Sequence, residues 1–377
     1  MPNILRSMHS FIVVTVMLNI DYAVREDNKA IKRIMRNTQM ESPISIAFDR
    51  QPSYFDSLKL EGNDYITIVG KDQNGIVRGF GTCVFKKAFI NGNIETIGYL
   101  HNLRLEKGFR DGYSLALGYK KFRESVHSKK AFCYITSILK QNKKAQSILT
   151  SGKGGLPSYL PLTEYRTFII KSGVKMTKNN INIKQFDNCH RERIYDFIMQ
   201  YGKSHNFFPY LSKRALFDEK TLNINSKNIY FTEEDNTVTA MAGLWDISSV
   251  KQLYIASYSP MVNILRPFHN ILSLIRKTPS LPSVNKQLSY SYIFPFIAGN
   301  ADRKIILNLI DTLSEMSVKR GNRFFITGCV KGSSMESILN TYPHIRVDSS
   351  IYAVDWYNDL DINTLRSNPL HIEVARL

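Results

Sequence analysis

The residues best suited to chemistry lie in one short segment between a predicted strand and a predicted helix. This segment, residues 106–112, reads EKGFRDG and carries two cations, Lys107 and Arg110, with Gly112 beside the helix. The first turn of a helix has unpaired N–H groups and a partial positive charge, so an anion fits there. Gly112 lets the backbone approach a ligand closely, because glycine has no Cβ. The segment therefore indicates a phosphate site, although an ordinary strand–turn–helix at the surface fits the same pattern.

Several side chains near this segment can move a proton. His101 is the first candidate for a general base, because an imidazole titrates near neutral pH, and Glu95 is the second. Tyr134 and Tyr159 are candidate proton donors. Each has a structural alternative: a histidine beside a buried strand commonly serves as a hydrogen-bonding residue, a glutamate at a strand end commonly meets water, and most of the 20 tyrosines pack in cores.

A strand and a helix must hold these residues in place. The strand covers residues 94–105, where polar and apolar residues alternate with one residue out of step, which indicates a β-bulge. The helix follows Gly112 with apolar residues at helical spacing on one face. That stripe consists of Leu115, Tyr119, Phe122 and Val126.

The order of predicted elements in the first half is strand, helix, three-strand meander, helix, strand, helix and strand. With this order, the segment resembles the central motif of the GNAT superfamily of acyl-CoA-dependent N-acyltransferases. The end of the motif strand matches Leu103, Arg104 and Leu105, and its aromatic–arginine pair matches Phe109 and Arg110. The two glycine positions of the motif hold other residues, and Gly112 lies one place early.

The resemblance implies an acyl-CoA co-substrate, either acetyl-CoA or another acyl-CoA, and no metal. It implies a carbonyl polarised by a backbone N–H around residues 103–105. The helix that follows the next strand matches an Asn-x-x-Ala pattern that contacts the pantetheine arm, with Asn142 and Ala145, while the tyrosine usual four residues later is Leu149 here. Tyr159 is the candidate to replace it. The cofactor-binding residues implied are Leu103, Arg104, Leu105, Phe109, Arg110, Asp111, Gly112, Tyr113, Ser114 and Asn142.

The same order of elements occurs again in the second half, without close sequence identity, so we predict an internal duplication. The predicted fold is α/β (α+β), with two tandem GNAT-like domains, each a mixed, mostly antiparallel twisted sheet flanked by helices. The expected domains are residues 1–172, with the acyl-CoA site, and residues 173–377, a degenerate copy that is structural or helps to build the acceptor site. Two unrelated α/β domains are the alternative. Three prolines between residues 263 and 286 favour a loop or lid there.

The composition limits the kinds of partner and site that this protein can have. The chain has 377 residues and a net charge of +18, which favours an anionic partner. It has no long Lys/Arg block, which argues against nucleic-acid binding, and its four cysteines lie far apart, which argues against a zinc site or a disulfide framework. The apolar run at residues 11–20 is too short to span a bilayer and lacks a good cleavage site, so we expect a cytoplasmic protein without a transmembrane segment.

These observations predict an acyl-CoA-dependent N-acyltransferase that transfers its acyl group directly, in a ternary complex, to the amine of a small molecule or peptide. One alternative is an aminoacyl-tRNA-dependent transferase, like the enzymes that build peptidoglycan bridges, but no long coiled-coil arm like theirs is evident. The other is a non-catalytic protein that senses CoA or binds a partner. The sequence leaves open the acceptor, the acyl chain length and the oligomeric state.

Overall fold

The computed structural model describes residues 18–39, 42–62, 64–110, 112–178, 181–218, 225–299 and 301–377. In these ranges, the first half has two α-helices before its main meander and two after it. Its elements are β1 (Asn19–Tyr22), α1 (Asn28–Asn37), β2 (Ile44–Arg50), α2 (Tyr54–Leu58), β3 (Asp64–Lys71), β4 (Val77–Ile90), β5 (Asn93–Leu105), α3 (Gly112–His127), β6 (Cys133–Leu139), α4 (Lys143–Leu149) and β7 (Ser158–Lys171).

The second half repeats much of this order and adds a strand and a helix in its middle. Its elements are β8 (Lys184–Gln185), α5 (Arg191–Lys203), α6 (Lys213–Phe217), β9 (Ile229–Glu234), β10 (Thr237–Trp245), β11 (Lys251–Tyr258), α7 (Pro260–Arg276), β12 (Tyr290–Ile297), α8 (Arg303–Lys319), β13 (Phe324–Val330), α9 (Ser334–Leu339), β14 (His344–Asp355) and α10 (Ile362–Arg366).

Among the described residues, one mixed, mostly antiparallel sheet of 12 strands runs through both halves, in the order β1-β3-β4-β5-β6-β14-β7-β13-β12-β10-β9-β8. Parallel pairs occur at equivalent places, between β5 and β6 and between β12 and β13. The last strands of the halves are exchanged: β14 lies between β6 and β7, and β7 lies between β14 and β13. The predicted α/β fold class is confirmed, and the boundary at residue 172 stays a prediction.

Helices cover the sheet with the faces that the sequence indicates. The predicted stripe of α3 is buried and packs against the first half of the sheet, with Leu115, Tyr119, Phe122 and Val126 each at most 9% exposed. In the second half, α8 buries Leu309, Ile310 and Leu313 in the same way. Each such side chain contributes about 1.5–3 kcal/mol when it leaves water. This packing fixes the position at which α3 begins, and therefore the position of its N-terminal turn.

The second sheet has two strands, β2 from the first half and β11 from the second. The sequence does not predict a separate sheet made of these two strands. They pair antiparallel, with Arg50 opposite Lys251 at one end. The two-stranded sheet ties the halves together beside the end of β5.

The prediction of an irregular loop or lid at residues 263–286 is wrong over its first half. Residues 260–276 form the 17-residue helix α7, with Pro260 in its first turn and Pro267 inside it. A proline is tolerated in the first turn, because its missing N–H would be unpaired there anyway. Ser259 caps the helix by accepting a hydrogen bond from the Val262 N–H at 3.4 Å. Pro267 removes one further intrahelical hydrogen bond without ending the helix.

Candidate active site

A gap opens between β5 and β6, and we call it the wedge. The two strands pair in parallel only from Ile97 to Leu100, and the last pair joins Leu100 to Thr136. Beyond it, β6 continues against β14 while β5 bends away. The bend is a β-bulge, because the register with β4 shifts there and Asn102 has a φ of 55°. The bulge predicted from the sequence is confirmed, and it frees one edge of β5 for a ligand.

The turn between β5 and α3 is anchored by ion pairs at its start. The Glu106 carboxylate receives hydrogen bonds from Arg33 and Arg78, each at 3.0 Å. Gly108 has a φ of 102°, which other residues rarely adopt. Arg110 then donates from Nε to the Leu105 carbonyl at 2.9 Å, so its side chain folds back over the end of β5.

Several of the predicted cofactor-binding residues lie together at the mouth of the wedge. Arg110, Gly112 and Tyr113 are exposed at the start of α3, and Phe109 is half-buried under the Arg78 guanidinium. A Cβ at Gly112 would meet nothing within 4 Å, so the backbone there faces open space. Asp111 lies outside the residues that the structure describes. The arrangement leaves a cation and the first turn of α3 accessible to an anion.

Other predicted cofactor-binding residues are placed differently. Arg104 points away from the helix, donating to the Thr38 carbonyl at 2.8 Å and lying over the ring of Phe48. Burial lowers the pKa of Arg104 to about 10, which still leaves it charged at neutral pH. Leu103 is 41% exposed in the bulge, while Leu105 packs under α3. Arg104 is thus tied to the end of α1 and is not available to a phosphate at α3.

Ser114 and Asn142 lie on the same side of the sheet as α3. Ser114 is buried in the first turn of α3. Asn142 caps α4, because its side chain accepts a hydrogen bond from the Ala145 N–H at 3.2 Å. The Asn-x-x-Ala spacing therefore has a local structural role in this chain, since Ser, Thr, Asp or Asn at this position satisfies an unpaired N–H of the helix.

His101 lies at the start of the bulge with both ring nitrogens facing polar groups. Asn102 donates from Nδ2 to His101 Nδ1 at 3.2 Å, and His101 Nε2 lies 3.4 Å from Glu61 Oε2. With the amide nitrogen facing Nδ1, the ring proton belongs on Nε2, toward the carboxylate. Burial lowers the pKa of His101 to about 3, against the opposing effect of Glu61. The imidazole is therefore neutral at physiological pH.

Glu61 is the centre of a buried charge cluster that consists of Arg50, Glu61, His101 and Lys251. Arg50 Nη1 and Lys251 Nζ each lie 2.7 Å from Glu61 Oε1. All four side chains are less than 10% exposed. Burial alone would raise the pKa of Glu61, but the charges of Arg50 and Lys251 hold it well below its usual value. Burial also lowers the pKa of Lys251 to about 8, so this lysine is mainly charged at neutral pH.

Two further basic side chains line the same face of the sheet. Lys86 Nζ lies 4.4 Å from the centre of the Tyr99 ring and donates to the Arg376 carbonyl. Arg376 donates from Nη1 to the Leu60 carbonyl at 2.7 Å. Burial lowers the pKa of Lys86 well below its usual value and that of Arg376 to about 10. The Tyr99 ring stacks on His101 at 5.0 Å, which connects this face to the bulge.

The sequence indicates His101 as a candidate base but not the residues around it. Arg50, Lys86 and Lys251 come from three different strands, β2, β4 and β11, and are far apart in the chain. A lone charged residue in a strand usually faces water, so nothing in the sequence marks these as buried. The only available signal is indirect: Glu61 lies shortly after α2, in the segment YFDSLKLE, which contains two aromatic residues and two leucines.

The other three predicted proton-transfer residues do not join His101. Glu95 pairs with Ala88 near the hairpin end of β5, about 20 Å from His101 along an extended strand. Tyr134 donates from its hydroxyl to the Val126 carbonyl at 3.1 Å inside the core, where burial raises its pKa. The Tyr159 hydroxyl bonds that of Tyr119, and burial raises its pKa well above the usual value. Their placement argues against proton transfer by these three residues.

Metal ligands are not gathered at this site. Among the described residues, no group of three or more His, Cys, Asp or Glu side chains is placed to hold a metal ion. The four cysteines are unpaired. The polar groups that the site does offer are backbone N–H groups, cations and one imidazole–carboxylate pair. Such groups can bind phosphates, polarise a carbonyl and accept a proton.

Comparison with solved structures identifies the fold of the chain. No family model matches the sequence, and no curated protein matches it either. Among solved structures, a GCN5-related N-acetyltransferase from Sphaerobacter thermophilus aligns with a TM-score of 0.58 and 10% identity over 91% of this chain and 97% of that one. The N-myristoyltransferase of Saccharomyces cerevisiae with bound myristoyl-CoA aligns with a TM-score of 0.58 and 10% identity over 94% and 89%. The chain therefore has the fold of the GNAT superfamily of acyl-CoA N-acyltransferases.

Proposed function

We propose that this protein is an acyl-CoA-dependent N-acyltransferase that binds its acyl-CoA in the first half, at the wedge and the start of α3. The observation that carries the proposal is the bulge in β5 directly before an exposed helix N-terminus with Arg110 beside it. An acyl-CoA carries a thioester at one end and phosphates at the other, and the two places suit those two groups. A protein with this fold has been crystallised with myristoyl-CoA.

In the proposed reaction, the wedge holds the thioester so that a free backbone N–H of β5 faces its carbonyl oxygen. The amine nitrogen attacks the carbonyl carbon, negative charge develops on the oxygen, and the N–H stabilises it. The C–N bond then forms fully as the C–S bond breaks, and CoA leaves as a thiolate. The amide and free CoA are the products, so no oxidant or reductant takes part.

The proton lost by the amine is assigned to His101. Its Nδ1 faces Asn102 at the bulge, and its Nε2–H faces the Glu61 carboxylate. If the Asn102 amide turns aside, Nδ1 can accept the proton, and Glu61 stabilises the imidazolium that results. Burial lowers the pKa of His101 to about 3, so the ring is neutral at physiological pH but a weak base, and the proposed transfer requires the Glu61 carboxylate to stabilise the imidazolium as it forms. Glu61 acts here as a positioning residue and does not touch the substrate.

The first experiment measures acyl-CoA binding by thermal shift and calorimetry with acetyl-CoA, longer acyl-CoAs and free CoA. A ligand at 100 times its Kd stabilises the native state by about 2.7 kcal/mol. We expect Arg110→Glu to weaken binding about 10–100-fold, because it removes a charge-assisted hydrogen bond to phosphate. Lys120→Glu is the matched control, since Lys120 is exposed on the same helix farther from its start.

Three outcomes separate this proposal from its alternatives. No stabilisation by any CoA species, or equal affinity in Arg110→Glu, would refute the proposed site. Binding without thiol release, over a screen of amino acids, peptides, polyamines and aminoglycosides, would favour a non-catalytic CoA sensor. Salt-sensitive binding of tRNA without CoA binding would favour an aminoacyl-tRNA-dependent transferase, because phosphate contacts weaken as salt rises.

A further inference from the structure

The helix α7 has its apolar face turned toward solvent. Six of its apolar residues recur at helical spacing and fall within an arc of about 100° at 100° per residue. Their exposures run from 40% at Leu272 to 78% at Ile275. A surface helix of a globular protein normally buries this stripe. The stripe includes Met261, Ile264, Phe268, Ile271, Leu272 and Ile275.

The polar side of α7 holds the helix to the protein. Asn270 donates from Nδ2 to the Leu281 carbonyl at 3.0 Å and accepts from the Leu281 N–H at 2.7 Å. His269 Nε2 lies 3.0 Å from the Pro279 carbonyl oxygen, and Ser273 is 1% exposed. The polar face is therefore docked on the loop that follows the helix. This docking fixes the orientation, so the outward direction of the apolar stripe is built into the fold.

The surroundings of this stripe are positively charged. The sequence has no Asp or Glu between Asp246 and Asp302. Arg276, Lys277 and Lys286 are exposed, and no ion pair joins them to a carboxylate within the described part of the chain. A cleft of about 610 Å³ lies beside the helix. Its lining combines apolar residues with serines, asparagines and three basic residues, Lys171, Lys286 and Arg323, and includes no carboxylate.

We infer that α7 docks the protein on a lipid bilayer that contains anionic phospholipids. An exposed apolar stripe enters the boundary between headgroups and acyl chains, and flanking Lys and Arg residues attract anionic headgroups. The helix lies on such a surface and does not cross it: no helix in the described residues is long and apolar enough to span a membrane. A second copy of the chain suits the stripe less well, because two symmetric copies would bring their positive rims together.

Flotation of the full-length protein with vesicles tests this inference. We expect it to float with vesicles of phosphatidylcholine and 30 mol% phosphatidylserine, to float weakly with phosphatidylcholine alone, and to be released as salt rises. The combined change Phe268→Ser, Ile271→Ser and Ile275→Ser removes three apolar contacts with lipid and should lower binding at least about 100-fold. Three exposed apolar residues of the first half give the matched control, Val24→Ser, Ile76→Ser and Ile94→Ser.

A second pair of variants tests the electrostatic part. Arg276→Glu with Lys277→Glu should lower binding to anionic vesicles roughly tenfold or more, whereas Lys29→Glu with Lys153→Glu, on exposed cations elsewhere, should not. Near-ultraviolet circular dichroism verifies that each variant is folded. Three results would overturn the inference: no flotation with either vesicle, unchanged flotation of the triple serine variant, or a dimer in solution that this variant dissociates without any vesicle binding.

Discussion

Acid should destabilise this protein earlier than its carboxylates alone would require, and His101 is the reason. Its side chain is 8% exposed, and burial lowers its pKa to about 3 from an ordinary value of 6.5. The unfolded chain therefore binds a proton on this residue near pH 6.5, while the folded protein does not bind it until about pH 3. Between these values the unfolded state holds more protons, so the free energy of unfolding falls as pH falls.

The magnitude follows from the two pKa values. At pH 7.5 the contribution of His101 to the free energy of unfolding is close to zero, and at pH 5.0 it is a loss of about 2 kcal/mol. The depressed pKa of Glu61 acts in the same direction, but only below about pH 4.3, where the unfolded carboxylate takes up its proton. The window from pH 7.5 to 5.0 therefore isolates the histidine from Glu61.

Urea unfolding followed by tryptophan fluorescence measures this effect, because Trp245 and Trp356 are both buried. The comparison is between the wild type and His101→Gln at each pH. Replacing His101 also destabilises the fold by an amount that does not depend on pH. This amount cancels when the difference in free energy of unfolding between wild type and variant is compared at two pH values, and the contributions of the other histidines cancel in the same way. We expect the wild type to lose about 2 kcal/mol more than the variant between pH 7.5 and 5.0. A difference that stays constant with pH would refute the buried, neutral histidine and its proposed role.

Two further predictions concern packing and charge. Glu61→Gln removes the carboxylate from between its two cationic partners and should destabilise the fold by about 3–5 kcal/mol in urea unfolding at pH 7.5, whereas Lys213→Gln, which breaks an exposed pair, should cost less than about 1 kcal/mol. Gly118→Ala should raise the melting temperature, because a Cβ there meets nothing within 4 Å and alanine favours the helix by about 1 kcal/mol. Gly98→Ala should lower the melting temperature, because the new Cβ would lie 2.3 Å from Tyr134 Cδ1. A melting temperature for Gly98→Ala at or above that of Gly118→Ala would contradict the packing prediction. A loss of stability in Glu61→Gln no larger than that in Lys213→Gln would contradict the charge prediction.

The parts of the fold that the sequence predicts are those set by local periodicity. The stripe on α3 and the irregular alternation in β5 are both readable within a dozen residues, and the structure has both. The helix α7 was not predicted, because Pro267 normally ends or bends a helix and its stripe has no core to face. The exchange of β7 and β14 has no local signature, because it depends on which distant strands pair.

In the candidate site too, local features can be predicted from the sequence, whereas contacts between distant segments cannot. Arg110 and Gly112 are local to one turn, so their spacing was informative. The partners of His101 are Glu61 and the cations around it, which reach the site only when β2 and β11 meet across the two halves. A single sequence does not indicate that these two distant strands pair. The orientation of the imidazole, on which the proposed chemistry depends, was therefore beyond sequence reasoning even though the residue was not.

The exchanged strands make the protein finish folding late. β7 pairs only with β13 and β14, so it has no partner of its own half among the described strands, and the outer edge of β6 waits for β14 as well. On a ribosome, the strand that closes the first half, β14, emerges only after β8 to β13 have been made. Until then two bare sheet edges are open to pairing with other chains, which is a route to aggregation. The wedge, which lies on β5 and β6, cannot be complete before β14 has been made, because β14 is the outer partner of β6.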